Sequence, residues 1–305
     1  MIPDPRLIVV GPGAMGCLHA ALLTGAGFRV ALLDHRPERA QLLNRRGIEV
    51  TVPGEATRSY SVPTTTDPHS LPPADLLLIF TKAYDLAEAL GHASPLISPQ
   101  TVVLTLQNGL GNYELLAQRV SPARVLAGST SSGATLTAPG EILVAAIGET
   151  LIGSPAGDRA LAAEVVEIFQ QAHLPASLAD NVDTVLWRKV LINAALNPLG
   201  ALTRRHNGEL LALPPLRDLL GRVAAETHAV ALALGLPLED LDPLAAVEEV
   251  CQNTAGNQCS MLQDVLAGRR TEIQQINGEI VRRGQAVEAN VTLNEALVAL
   301  VEGLL

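Results

Sequence analysis

Residues 7–10 form an apolar, β-rich run, residues 14–24 follow a helical pattern, and between them stands Gly11-Pro12-Gly13-Ala14-Met15-Gly16. Few folds need three glycines there. Gly11 permits a tight strand-to-helix turn, Gly13 lets backbone N–H groups approach a pyrophosphate, and Gly16 lets the helix pack close to the strand. A bare GxGxxG is weak evidence, but a strand before it and a helix after it supply the context that dinucleotide binding requires. The competing readings are a glycine turn with no ligand and, less favoured, a site for FAD.

The alternation continues along the chain. Strands are expected at 29–33, 75–80 and 101–106, with helices at 37–46 and after each of the last two strands. Residues 48–52 and 59–62 flank Pro53-Gly54 as a hairpin or irregular strand pair. Short strand-like pieces at 124–126, 133–136, 141–146 and 150–152 lead to a helix at 158–172. This pattern predicts a parallel sheet covered on both faces. From about residue 180 it gives way to long helical stretches interrupted at Asn197-Pro198, Pro214-Pro215, Pro237 and Pro243. The expected fold class is α/β, with a Rossmann-like, doubly wound dinucleotide-binding domain over 1–178 and an all-helical substrate-binding domain over 179–305.

The length of 305 residues, 48% of them hydrophobic, suits two domains with a sizeable core. Apolar runs are cut by Gly, Pro or charge before the roughly 18 residues of a membrane span, and the N-terminus lacks a signal-peptide layout. The expected location is the cytoplasm. A net charge of −10, with basic clusters no larger than pairs such as Arg269-Arg270 and Arg282-Arg283, argues against nucleic-acid or anionic-membrane partners. Cys17, Cys251 and Cys259 show no CxxC spacing and suit reduced thiols. The seven histidines are dispersed, so no metal site is expected.

Trp187-Arg188-Lys189-Val190-Leu191-Ile192-Asn193-Ala194-Ala195-Leu196-Asn197 places one lysine and two asparagines at spacings of four on an otherwise apolar helix. Asn193 lies about 40° and Asn197 about 80° around the helix from Lys189, with Val182 and Leu186 on the same side. Burying such groups unpaired is costly, so the face is expected to line a polar cleft. The plain alternative is a lysine snorkelling past a core helix.

Lys82 and Asn108 each fall just past a predicted parallel strand, where ligands sit in open α/β sheets. At the end of the second strand, Asp34-His35-Arg36 gives opposed signals. An acid there accepts from adenosine ribose hydroxyls and favours NADH, whereas Arg36 suits the extra phosphate of NADPH.

In this order the pieces resemble the ketopantoate reductase (2-dehydropantoate 2-reductase) family over essentially the whole chain. The resemblance rests on the Gly11–Gly16 loop, Thr81-Lys82-Ala83, Gln107-Asn108-Gly109 and Gly128-Ser129-Thr130 in the first half. In the second it rests on Trp187-Arg188-Lys189, Asn193, Asn197-Pro198-Leu199, Asn207-Gly208-Glu209-Leu210, Ser260-Met261-Leu262-Gln263-Asp264, and Thr271-Glu272 through Asn277-Gly278. It implies that Lys189 gives a proton to the carbonyl oxygen of ketopantoate as NADPH delivers hydride to carbon. It further implies that Asn193, Asn197, Asn207 and Ser260 bind substrate, that Asn108 touches substrate and cofactor, and that Ala134 and Glu272 belong with the cofactor residues. Asn257, three residues before Ser260, is expected to share its helix face and join the substrate set. For Glu272 the competing reading is an N-terminal helix charge after Gly268.

Two departures stand out. His35 occupies the position where the family often has an arginine for the NADPH phosphate, and Cys259 stands where it often has a second small residue. NADPH is the expected cofactor on resemblance, with NADH the alternative because of Asp34. The competing functions are reduction of another branched 2-oxo acid and cofactor sensing without catalysis. A homodimer through the helical domain is compatible with its apolar helices.

Overall fold

The computed structural model describes residues 4–304. The chain runs β1 (Arg6–Val10), α1 (Ala14–Gly25), β2 (Arg29–Leu33), α2 (Pro37–Arg46), β3 (Ile48–Thr51), β4 (Arg58–Tyr60), β5 (Thr64–Thr65), β6 (Leu76–Ile79), α3 (Leu86–His92), β7 (Val102–Thr105), α4 (Asn112–Leu116), β8 (Val125–Thr130), β9 (Gly133–Ala138), β10 (Glu141–Ala146), β11 (Thr150–Gly153), α5 (Arg159–Gln171) and β12 (Ala176–Leu178). Eight strands make one sheet in the order β12-β11-β8-β7-β6-β1-β2-β5. Every pair is parallel except β8 with β11. The central strands are apolar throughout because both faces are covered: Leu7, Val9, Leu76 and Leu78 join one core with Leu18 and Phe169, while Ile8, Val10, Leu77 and Ile79 join another with Leu86, Leu90 and Leu116.

The expected hairpin at β3 and β4 is present, but it belongs to a second, four-stranded sheet ordered β4-β3-β10-β9. That sheet explains α1. The helix contacts β1 and β2 as well as β3, β4, β9 and β10 of the second sheet, so its middle is buried throughout and its sequence is largely apolar. The short β5 and β12 carry too few residues for a readable alternation and escape the sequence pattern.

The helical part comprises α6 (Val182–Thr203), α7 (Asn207–Ala212), α8 (Pro214–Ala233), α9 (Pro243–Asn253), α10 (Ser260–Leu266), a π-helical segment Gln274–Gly278, α11 (Glu279–Ala286) and α12 (Thr292–Glu302). Pro214 and Pro243 start helices, as proline at a first position allows. The interruption expected at Asn197-Pro198 does not occur, because α6 continues through Pro198 to Thr203. Pro198 lacks the N–H that would bond the Ala194 carbonyl four residues back. The Nδ2 group of Asn277, fully buried, donates to that carbonyl at 3.0 Å. Leu196, Leu199 and Ala201 anchor the helix on either side of the proline by burial.

Two compact units result. One holds the chain up to Gln107 together with Asn112–Val182, and the other holds Asn108–Gly111 with everything from Asp183 onward. Among the described residues no helix is long and apolar enough to cross a membrane.

His19 on α1 is a buried polar group in the first core, between Phe80 and Phe169 with ring centroids 4.4 and 5.7 Å away. Its Nδ1 lies 2.8 Å from the Met15 carbonyl, so that nitrogen carries the hydrogen, and the buried Nε2 has no partner. Desolvation pushes the imidazole down to about 4. The unfolded chain, titrating near 6.5, binds the proton first as pH falls, so stability is full above about 6.5 and declines toward 4. Denaturant titrations are expected to show about 3 kcal/mol lost between pH 7 and pH 4 from this residue, a slope that His19→Leu flattens.

Candidate functional site

In the first unit β1 ends at Val10 and its neighbour β6 at Ile79, and the chain departs from β1 to opposite sides, which opens a crevice beyond the strands' carboxyl ends. Gly11 turns there with φ +98°, and any side chain on it would press into Thr81. A methyl on Gly16 would collide with the Gly11 carbonyl. At Gly13 a Cβ would meet nothing within 4 Å, and Gly13 caps α1 with no side-chain hydrogen bond and no acid in the first turn. The start of this twelve-residue helix is therefore an open cradle of positive potential, which fits a pyrophosphate. Pro12 is buried at its rim, and Ala14 and Met15 are partly exposed.

Lys82 follows β6, partly exposed, at the start of a short 3-10 turn. Gln107 locks the adjoining strand ends, donating to the Thr81 carbonyl at 2.8 Å and accepting from the Thr105 hydroxyl at 3.0 Å. Ala134 lies on β9 in the small sheet, partly buried against the core.

Asp34 directly follows β2, and its carboxylate is held from within the chain. It accepts the backbone N–H groups of His35 and Arg36 at 2.7 and 3.0 Å and a bidentate pair from Arg39 at 2.6 and 2.5 Å. The side chain has no exposed surface. These hydrogen bonds outweigh desolvation and hold its pKa below the usual carboxylate value. Arg36 is exposed at the start of α2, with Nε donating to His35 Nε2 at 3.2 Å. Arg39 was not singled out from sequence. The available signal was a basic residue one turn into the helix that follows an acid-terminated strand.

In the second unit Lys189, Asn193 and Asn197 lie on α6, the first two partly exposed and Asn197 buried. Burial pushes the Lys189 ammonium down to about 8, against the charge of Glu272, which raises it. Glu272 is only 5% exposed, which rules out a solvated helix-end charge. It accepts from Asn108 Nδ2 at 3.2 Å. Asn108 reaches it because Leu110 N–H bonds the Gln275 carbonyl at 2.9 Å and Gly109, with φ +86°, lies flat on that carbonyl where a methyl would collide.

The remaining polar residues meet through short hydrogen bonds. Asn207 opens α7, buried, with Nδ2 donating to Thr254 Oγ1 at 2.8 Å and its backbone N–H to the Asn257 carbonyl at 3.0 Å. Its Oδ1 is buried and has no hydrogen-bond partner. Asn257 and Ser260 do not share a helix face. Asn257 lies in the loop before α10, and the helix starts only at Ser260 because Cys259 caps it, its sulfur accepting from Leu262 N–H at 3.4 Å. The same thiol donates to the Asn197 carbonyl at 3.5 Å, and burial raises it to about 11, so it packs and caps and is not reactive. Among the described residues no group of three His, Cys, Asp or Glu side chains could hold a metal ion.

Two family models match this chain: "Ketopantoate reductase PanE/ApbA" over residues 7–157 and its C-terminal counterpart over 181–304. The chain belongs to the ketopantoate reductase family. It is 35% identical to 2-dehydropantoate 2-reductase of Halobacterium salinarum over 297 residues, 97% of each chain. A solved 2-dehydropantoate 2-reductase from Geobacter metallireducens matches with a TM-score of 0.92 at 28% identity, covering 98% of this chain and 99% of that one. D-mandelate dehydrogenase, solved with NADH and anilino(oxo)acetate, also matches at 0.92, with 26% identity and 98% coverage of both chains. Ketopantoate reductases are NAD(P)H-dependent oxidoreductases.

Arg39→Ala is expected to destabilise the chain by about 2 kcal/mol or more, because it strands a buried carboxylate. Adding Asp34→Asn should recover part of that loss in equilibrium unfolding.

Proposed function

We propose that this chain reduces 2-dehydropantoate to pantoate with NADPH, in the cytoplasm, as a step toward pantothenate and coenzyme A. The observation that carries the reading is the Lys189 ammonium, its charge supported by Glu272, which is itself fixed by Asn108. When bound, the reduced nicotinamide supplies a hydride to the substrate's carbonyl carbon. Negative charge then builds on the carbonyl oxygen, and Lys189 stabilises it and donates the proton that completes the hydroxyl. The lysine is left neutral and regains a proton from solvent. The Glu272 charge favours the ammonium form of Lys189. Asn193, Asn197 and Ser260 supply neutral hydrogen bonds for the carboxylate, adding no second charge beside the reacting carbonyl. Asn207 Oδ1, a buried acceptor without a partner, suits the hydroxyl of 2-dehydropantoate, which simple branched 2-oxo acids lack.

NADPH is preferred over NADH because the Asp34 carboxylate offers a ribose hydroxyl no exposed surface and is neutralised by Arg39, while Arg36 stands exposed at the start of α2. Calorimetric titration is expected to give at least about tenfold tighter binding of NADPH, a margin that Arg36→Ala narrows. Tighter binding of NADH would overturn this preference.

Lys189→Ala is expected to lower kcat at least about 100-fold with dinucleotide binding retained. In the wild-type chain kcat/KM should fall as pH rises through about 8, where Lys189 loses its proton. Glu272→Gln removes the group that raises Lys189 and should move that limb to lower pH. The reading fails if Lys189→Ala turns over normally, or if 2-oxoisovalerate is reduced as efficiently as 2-dehydropantoate.

A further inference from the structure

The helix that carries Lys189 contains a flaw, the Ala194 carbonyl left without its α-helical donor by Pro198. The repair comes from a polar chain that runs through the interior of the helical unit. Asn277 Nδ2 has two hydrogens, one donated to the Ala194 carbonyl at 3.0 Å and the other to Asn294 Oδ1 at 2.9 Å. Asn294 Nδ2 in turn donates to Glu226 Oε1 at 2.8 Å. The Glu226 carboxylate also accepts the backbone N–H groups of Leu293 and Asn294 at 3.0 and 2.8 Å, which closes the N-terminus of α12. Asn277 and Asn294 have no exposed surface.

Only one orientation of each amide satisfies this chain. Glu226 offers acceptors alone, so Asn294 must turn its Nδ2 toward it and its Oδ1 toward Asn277. Asn277 must then present Nδ2 to both acceptors, which leaves its own Oδ1 buried without a partner. An unsatisfied buried acceptor is a cost that a purely packing residue would not carry. Asn277 also lies in the π-helical segment Gln274–Gly278, whose Gln275 carbonyl holds Leu110 and whose preceding residues include Glu272. π-helical turns recur at functional sites because they shift a helix's side chains out of α register.

We propose that Asn277 is a positioning residue for the reaction, with Asn294 and Glu226 fixing its amide, and that it works by clamping the Pro198 flaw of α6 onto the segment bearing Glu272 and so setting Lys189 against that carboxylate. The inference rests on the reading of Lys189 as proton donor, yet part of its test does not require the substrate to be right. The chain contains only two lysines, Lys82 and Lys189. A sample labelled with 13C at lysine Cε therefore gives two titrating signals, and Lys189→Ala assigns them.

Asn277→Ala is expected to lower kcat about tenfold or more with KM for NADPH within about twofold, and to move the Lys189 titration below that of the wild-type chain, because the support of Glu272 weakens. Pro198→Ala restores the N–H that α6 lacks. In the Asn277→Ala background it satisfies the Ala194 carbonyl within α6 without tying that helix to the segment bearing Glu272, so kcat and the Lys189 titration should stay as in Asn277→Ala. Asn277→Ser, which keeps a hydroxyl donor in a smaller side chain, supplies the same comparison should Asn277→Ala not fold. Wild-type kcat and an unmoved Lys189 signal in a folded Asn277 variant would overturn the proposal. So would a folded double variant in which Pro198→Ala restores both, since repair of the carbonyl alone would then account for the effect. If the wild-type chain does not reduce 2-dehydropantoate, the functional reading fails while the lysine titrations still decide the clamp.

Discussion

A cation that must stay charged inside an apolar helical unit is the constraint from which the rest of this site follows. Desolvation works against the Lys189 ammonium, and the opposing charge of Glu272 is useful only if that carboxylate is held in place. Asn108 holds it by a hydrogen bond, and Asn108 arrives on a loop that needs a glycine at 109 to lie against Gln275. Each requirement passes to the next residue, which is why so many backbone devices gather around one side chain. The composition agrees with this reading. Of the 21 lysine and arginine residues all besides Lys82 and Lys189 are arginine, a group that keeps its proton and so cannot act as an acid near neutral pH.

The α/β half was legible because its signals are local. Gly11 to Gly16, the apolar runs that became β1, β2, β6 and β7, and the start of α2 at Pro37 are all visible within a few residues. The second sheet was not legible, since it joins β3 and β4 to β9 and β10 across about ninety residues of chain, and pairing at that range leaves no periodic trace. Pro198 misled for a related reason. A proline normally ends a helix, and the remedy comes from Asn277, 79 positions downstream of it in the sequence but adjacent in space. Asn257 misled because spacing alone cannot reveal that a cysteine sulfur sets the first residue of α10.

The candidate residues show the same division. Lys189, Asn193 and Asn197 were singled out because helical geometry relates them directly. Asp34 was singled out too, but its state depends on Arg39, so the residue type suggested an open acceptor where the fold has a buried, ion-paired one. A strand-end acid identifies the position at which the adenosine end of a dinucleotide is read. What it does there depends on how many of its lone pairs the chain has already used.

The four residues Asn108–Gly111 carry a consequence for how separable the two halves are. The C-terminal family model begins at residue 181, yet the unit it describes also gathers these four residues from far upstream. The chain therefore passes between the units three times, at 107–108, 111–112 and 182–183. A single cut after residue 182 would release a helical fragment without Asn108 and without the Leu110 amide on its π-helical segment. Inheritance by domain shuffling, or transplantation of the helical half onto another nucleotide-binding partner, would have to bring a matching loop from the other side. The boundary of the helical unit in the fold is therefore not its boundary in the sequence.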